Sequence, residues 1–338
     1  MARPGAYIMG CAGPHLTPSE AAFFADARPW GFILFARNIE TPDQTATLTA
    51  DLRTAVGWDA PILIDQEGGR VQRMWAPHWR NWRPAFDQVA GLDDPAAERS
   101  LYLRSMLIAH ELRAVGIDVN CTPLADIASD DTHPFLRNRC YGTTPEQVTR
   151  RARAAATGNI AGGVLPVLKH IPGHGSTGVD SHVGLPTVDS PPDHLHSWDF
   201  APFAALSDLP MGMTNHVVFT AYDSQPTTIS PRMIRLIREE LGFTGLLMTD
   251  DISMEALGGT VLQRGQAALA AGCDLILHCN GDMAEMVSLA THAGPMSPAA
   301  ITRAEAALTL RKPQPPIDIP AAEAELAALL QGEVYVRG

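Results

Sequence analysis

The chain lacks the features that mark several common protein classes. It has no Cys-x-x-Cys pair, and its five cysteines (Cys11, Cys121, Cys140, Cys273 and Cys279) are odd in number and far apart. That argues against a disulfide framework or a zinc site and for reduced thiols. Basic residues are few: 25 Lys+Arg against 37 Asp+Glu give a formal net charge of −12, the wrong sign for a grip on nucleic-acid phosphates. No run approaches the ~18 apolar residues of a membrane helix. No Gly-x-Gly-x-x-Gly follows the first apolar run, so the phosphate turn of a doubly wound dinucleotide fold is missing. "IMGC" can be read as a lipoprotein cleavage box, but the apolar run before Cys11 is too short for an export segment, and "AYIMG" reads better as a first strand. The expectation is a cytoplasmic protein with a small-molecule substrate and no nucleic-acid or membrane partner.

What is present is a hydrophobic content of 46%, ample for a large core, and eight short apolar runs. These are "AYIMGCA", "GFILFAR", "PILIDQ", "DVNCTPLADI", "LPVLKH", "PMGMTNHVV", "GLLMTDD" and "CDLILHCN". Without strict alternation, they suit strands covered on both faces of a parallel sheet. Amphipathic stretches lie between most of them, such as "TPDQTATLTADLRTAVG", "AAERSLYLRSMLIAHELRAVG", "SPRMIRLIREELG" and "LQRGQAALAAG". Several open on Ser, Thr or Pro and close on Gly, as capped helices do. Eight strand–helix units predict an α/β fold, a single (β/α)8 TIM-type barrel over 1–338. The open doubly wound sheet is the alternative. Residues 296–338 read as a helical extension with a Pro-rich joint, packed beside the barrel or closing it. A lone barrel is compatible with a monomer.

Barrels of this class carry their chemistry at the C-terminal ends of the strands. There the apolar runs give way to Arg37 and Asn38, Asp65 and Glu67, Asp126, Lys169 and His170, Asn215 and His216, Asp250 and Asp251, and Asn280. A buried strand must end in something polar, which weakens any single case. Seven strand ends supplying donors and acceptors to one mouth suit a neutral polyhydroxylated ligand, whose hydroxyls need both.

Three blocks, "DQEGGRVQR" (65–73), "KHIPGHGSTGVDSH" (169–182) and "MTDDISM" (248–254), resemble in this order the bacterial β-N-acetylhexosaminidases of glycoside hydrolase family three. The similarity is to their single-domain, cytoplasmic, cell-wall-recycling branch. It implies a retaining enzyme that removes terminal N-acetylglucosamine from muropeptides or oligosaccharides without cofactor or metal. It also implies Asp250 as nucleophile, His182 as general acid/base and Asp180 as its partner. Sugar contacts are implied at Asp65, Arg73, Lys169 and His170, and at Arg139 of "RNRCYG". Ile171, Cys140 and Ile252 depart from the family's usual residues and are expected to matter only for packing.

The residue types suit that chemistry. A retaining glycosidase needs one group to attack the anomeric carbon and another to protonate the leaving oxygen. An aspartate with an unperturbed pKa of ~3.9 is ionised at neutral pH, and an imidazole at ~6.5 is partly protonated. Asp180 would favour the imidazolium and orient it. The glycines of "PGHGSTG" are expected to let the His182 loop move. His174 is expected to hydrogen-bond across that loop, Asp251 to cap a helix, and Glu67 to support a tight turn. Trp75, Trp79 and Trp82 are either a sugar shelf or packing. The competing functions are a family member acting on other sugars, a phosphorylase, a silent sugar-binding protein, and a metal-dependent hydrolase built on His170, His174, His182 and Asp250. The chain contains no Asp-Glu dipeptide, which disfavours a substrate-assisted route.

Overall fold

Every one of the eight apolar runs supplies a strand to one closed parallel barrel in the computed structural model, which describes residues 3–130, 132–177, 185–311 and 316–336. The strands are β1 (Gly5–Gly10), β2 (Pro29–Leu34), β3 (Ile62–Ile64), β4 (Val119–Asn120), β5 (Leu165–Ile171), β6 (Met211–Thr214), β7 (Leu246–Asp251) and β8 (Leu275–His278). Each pairs with its sequence neighbours, and β8 closes on β1 with Ile8 opposite Leu277.

Alternation is present in space although the sequence hides it. Ile8, Leu63, Val167, Met213, Met248 and Leu277 belong to the cluster filling the barrel, while Met9, Ile62, Leu168, Leu247 and Ile276 belong to the shell beneath the helices. Both sets are apolar because both faces are covered, which is why the runs look continuous.

The four amphipathic stretches are helical: Pro42–Val56, Asp94–Ala114, Pro231–Arg235 continued by a π-turn over Leu236–Glu240, and Val261–Ala271. Their caps follow the sequence signals. Thr41 accepts the Gln44 N–H before Pro42, and Gly57 ends the same helix at φ 72°, a conformation that costs glycine little.

The C-terminal extension divides. Pro298–Leu308 plugs the N-terminal end of the barrel, its Ala300, Ala304 and Ala307 joining Ala6 and Trp30 in the interior cluster. Ile319–Leu329 lies outside against Asp94–Ala114, tied by an Arg99–Glu325 ion pair of 2.6 Å. Both expectations for this extension are met, the first helix closing the barrel's end and the second packing beside the barrel.

One run breaks early. β6 stops at Thr214, and Val218–Phe219 instead pairs in parallel with Thr187–Val188, outside the barrel. No helix among the described residues is long and apolar enough to cross a membrane. All five cysteines are buried and free.

Candidate active site

Continuing the inward alternation two residues past the last apolar side chain leads from Leu63 to Asp65, from Val167 to Lys169 and from Met248 to Asp250. The pleat thus directs three ionisable side chains to one layer at the barrel's C-terminal end. They line a cavity of about 420 Å³ together with Arg70, Arg73, His133, Phe135, Arg139, His170, His174 and Asp251.

The floor is an ion-pair lattice. Lys169 Nζ lies 2.9 Å from Asp65 Oδ1 and 2.7 Å from Glu67 Oε1. Arg139 donates to both Glu67 oxygens at 2.8 Å, and Arg73 reaches Asp65 Oδ2 at 3.3 Å. Burial alone would raise both carboxyls, but their cationic neighbours outweigh it. Lys169 and Arg73 hold Asp65 far below the usual carboxylate range, and Arg139 and Lys169 bring Glu67 down to about 2. The Lys169 ammonium is held above its ordinary value against its own burial by the same carboxylates. Asp65, Glu67 and Lys169 thus stay charged at neutral pH, which suits a site that bonds hydroxyls.

Asp250 stands beside this lattice. Its Oδ1 accepts the Asp251 N–H at 2.8 Å. Burial pushes its carboxyl up, yet His170, His216, the Asp251 N–H and Lys169 together hold it below the ordinary value. It is therefore an ionised carboxylate facing a cavity.

The imidazoles are held from behind. Asp126 Oδ2 lies 2.8 Å from His170 Nδ1, and its Oδ1 accepts the His174 N–H at 2.8 Å. His174 Nδ1 meets Thr177 Oγ1 at 2.9 Å, the cross-loop bond expected of it, and burial with the neighbouring His170 lowers its pKa to about 4. Asn215 donates to the carbonyls of His170 and Gly173, fixing where β5 leaves the barrel.

The predicted sugar-binding residues Asp65, Arg73, Arg139, Lys169 and His170 all line the one cavity with Asp250. Asp180 and His182 lie outside the described residues. Other expectations need correction. Arg37 and Asn38 do not reach the cavity; they bond the carbonyls of Cys11, Cys279 and Gly13, lashing adjacent strand ends together. Asn280 bonds Glu285 at 2.8 Å. Asp251 caps no helix, since the next one starts at Val261; its carboxylate instead receives the Ser253 hydroxyl and the Ser253 and Cys279 N–H groups.

Glu67 sits in a tight turn, its N–H donating to the Val71 carbonyl at 2.9 Å, with Gly68 and Gly69 at φ 95° and 61°. Trp79 and Trp82 are buried in the outer core, so packing accounts for them; Trp75 is exposed, and none of the three lines the cavity. Gly173 and Gly175 serve close approach: a Cβ would stand 2.9 Å from the Asp199 carbonyl oxygen and 2.0 Å from that of Ile127, while Gly178 of the same stretch lies outside the described residues. Ile171, Cys140 and Ile252 are all buried, consistent with a packing role. Among the described residues no group of three or more His, Cys, Asp or Glu is arranged to hold a metal ion.

Sequence reasoning passed over Arg70, His133 and Phe135 in the cavity wall. Arg70 lies inside a quoted block, between two recognised positions. His133 caps and Phe135 belongs to a single helical turn, Pro134–Arg137, which is too short to carry a periodic signal.

Residues 18–308 match the family described as "Glycosyl hydrolase family 3 N terminal domain". A β-hexosaminidase of Methylococcus capsulatus is 38% identical over 274 residues, 79% of this chain and 80% of that protein. One of Pseudomonas aeruginosa is 35% identical over 290 residues, covering 85% and 86%. The crystal structure of NagZ from Neisseria gonorrhoeae superposes with a TM-score of 0.84 at 30% identity, over 97% of this chain and 98% of that one, and a further structure of that protein is a complex with N-trifluoroacetyl-D-glucosamine. The chain belongs to glycosyl hydrolase family 3 and is a glycoside hydrolase.

Proposed function

We propose that the enzyme is a retaining β-N-acetylglucosaminidase that removes terminal, non-reducing N-acetylglucosamine from peptidoglycan-derived muropeptides in the cytoplasm. Asp250 attacks the anomeric carbon, and the proton of the His182 imidazolium passes to the departing glycosidic oxygen. His182, now neutral, takes a proton from water as that water attacks the same carbon, freeing the sugar with its configuration retained. Asp180 orients His182 and stabilises its charged form. Asp65 accepts from sugar hydroxyls while Lys169, Arg73 and His170 donate to them. Arg139 has its Nε and one terminal nitrogen committed to Glu67. It serves the sugar by fixing Glu67 and, through it, Lys169.

The observation that carries this reading is Asp250: an ionised carboxylate at the tip of β7, facing a cavity in which the neighbouring carboxylate Asp65 is already paired with Lys169 and Arg73. The relatives named β-hexosaminidase, and the neighbour bound to a glucosamine derivative, support the same choice of sugar.

Two measurements test it. The first-formed sugar, followed by NMR during turnover of an aryl 2-acetamido glycoside, is expected to be the β anomer. His182→Ala is expected to slow glycosides with poor leaving groups far more than activated aryl glycosides, because only the former need a proton in the bond-breaking step. An α first product, or equal loss on both classes, contradicts the mechanism.

A further inference from the structure

Charge pairing in the cavity wall leaves one residue over. Lys169, Arg73 and Arg139 share Asp65 and Glu67. Arg70 lines the same cavity, is exposed, and has no carboxylate partner among the described residues. Its guanidinium carbon lies 4.0 Å from the centroid of the Phe135 ring, and that of Arg139 lies 5.3 Å from the same centroid. An arginine stacked on an aromatic face keeps the N–H donors of its edge free, in the planar fork that matches a carboxylate. The backbone that carries it is fixed, because the Gly68 N–H closes a turn on the Val71 carbonyl at 3.1 Å and a Cβ on Gly69 would stand 2.8 Å from Pro84 Cα.

Its height in the cavity gives it a role. Asp65, Lys169 and Asp250 form the floor, where a terminal sugar ring must sit for Asp250 to reach its anomeric carbon. The leaving group then extends towards solvent, and among the described lining residues Arg70 alone is exposed, its guanidinium over the partly buried Phe135.

We propose that Arg70, stacked on Phe135, is a specificity-determining residue that binds a carboxylate carried by the aglycone. The inference rests on the glycosidase reading above and adds the charge of the leaving group to it. An enzyme with an excess of acidic residues gains from a dedicated cation where an anionic substrate enters.

The test compares 4-(carboxymethyl)phenyl and 4-(carbamoylmethyl)phenyl 2-acetamido-2-deoxy-β-glucosides, whose phenols differ in charge but little in leaving ability. The wild type is expected to prefer the acid by about tenfold in kcat/KM, as one charge-assisted bidentate contact allows, and to lose that preference as salt rises. In Arg70→Ala the ratio is expected to fall to about one, and in Arg70→Lys, which keeps the charge but not the fork, to lie between. Two disaccharides, one with a carboxylate on its second sugar and one with that group amidated and the acid moved onto a peptide, identify which source Arg70 meets. A wild-type ratio near one, or a ratio that survives in Arg70→Ala, overturns the proposal. Turnover of neither aryl glycoside by the wild type overturns the glycosidase reading first and this inference with it.

Discussion

His216 Nε2 lies 3.0 Å from the carbonyl oxygen of Asp251. A carbonyl only accepts, so the nitrogen carries the hydrogen. Asp251 is thereby held at its carbonyl by His216 and at its carboxylate by Ser253 and Cys279, and its own N–H points at Asp250 Oδ1. The second aspartate of "TDD" is thus a positioning residue that aims one donor at the proposed nucleophile.

His216→Ala should therefore lower kcat by about 10- to 100-fold through misplacement of Asp250. A merely structural role would leave the pH profile alone. Here His216 is one of the groups holding the Asp250 carboxyl low, so its loss lets that pKa rise. The acid limb of kcat/KM, measured on an activated aryl glycoside, is expected to move to higher pH.

The Glu67 carboxyl titrates near 2 when folded, against ~4.3 for an unperturbed glutamate. A carboxyl depressed on folding stabilises the protein above its unfolded pKa, and that stability is lost as pH falls towards the folded value. Thermal melts of the wild type should therefore fall steeply between about pH 4.5 and 2. Glu67→Gln should flatten that slope while costing about 3–5 kcal/mol at pH 7, since Arg139 is left buried without its partner. An unchanged slope would count against the ion-pair lattice.

His174 acts in the same direction, but because its neutral form is the one the fold favours. It is a base whose folded pKa of about 4 lies below the ordinary value, so the unfolded chain takes up its proton first as pH drops. Stability should be full above about pH 6.5 and decline towards 4. In two-dimensional NMR the His174 ring should remain neutral at pH 5.5. A protonated ring at that pH contradicts the assignment.

Gly175→Ala should lower the melting temperature and activity together, because its methyl group meets the Ile127 backbone and neither side can yield cheaply. Gly258→Ala, where nothing lies within 4 Å, is the control and should change neither. Equal tolerance at both positions would return the glycines of this loop to a role in motion.

Much of this was legible beforehand, for reasons visible in particular residues. A strand buried on both faces must be apolar along its length, so all eight runs stood out. Asp65, Lys169 and Asp250 were legible because each lies two residues beyond an inward apolar side chain. Arg37, Asn38 and Asn280 also follow strand ends, but Arg37 and Asn38 turn to backbone carbonyls beside β1 and Asn280 to the Glu285 carboxylate, and nothing local encodes those choices. The Glu67–Arg139 pair joins residues 72 apart in sequence and exists only once β3 and the loop after β4 meet. The two-residue pairing of Thr187–Val188 with Val218–Phe219 is too short to carry a period.

The most direct measurement is covalent trapping. The enzyme is incubated with a 2-acetamido-5-fluoro glycoside, digested, and its peptides are mapped by mass spectrometry. The fluorosugar should be esterified to Asp250, with no labelling of Asp250→Asn. A stable adduct on any other side chain, or turnover of the natural glycoside by Asp250→Asn at the wild-type rate, would contradict the account.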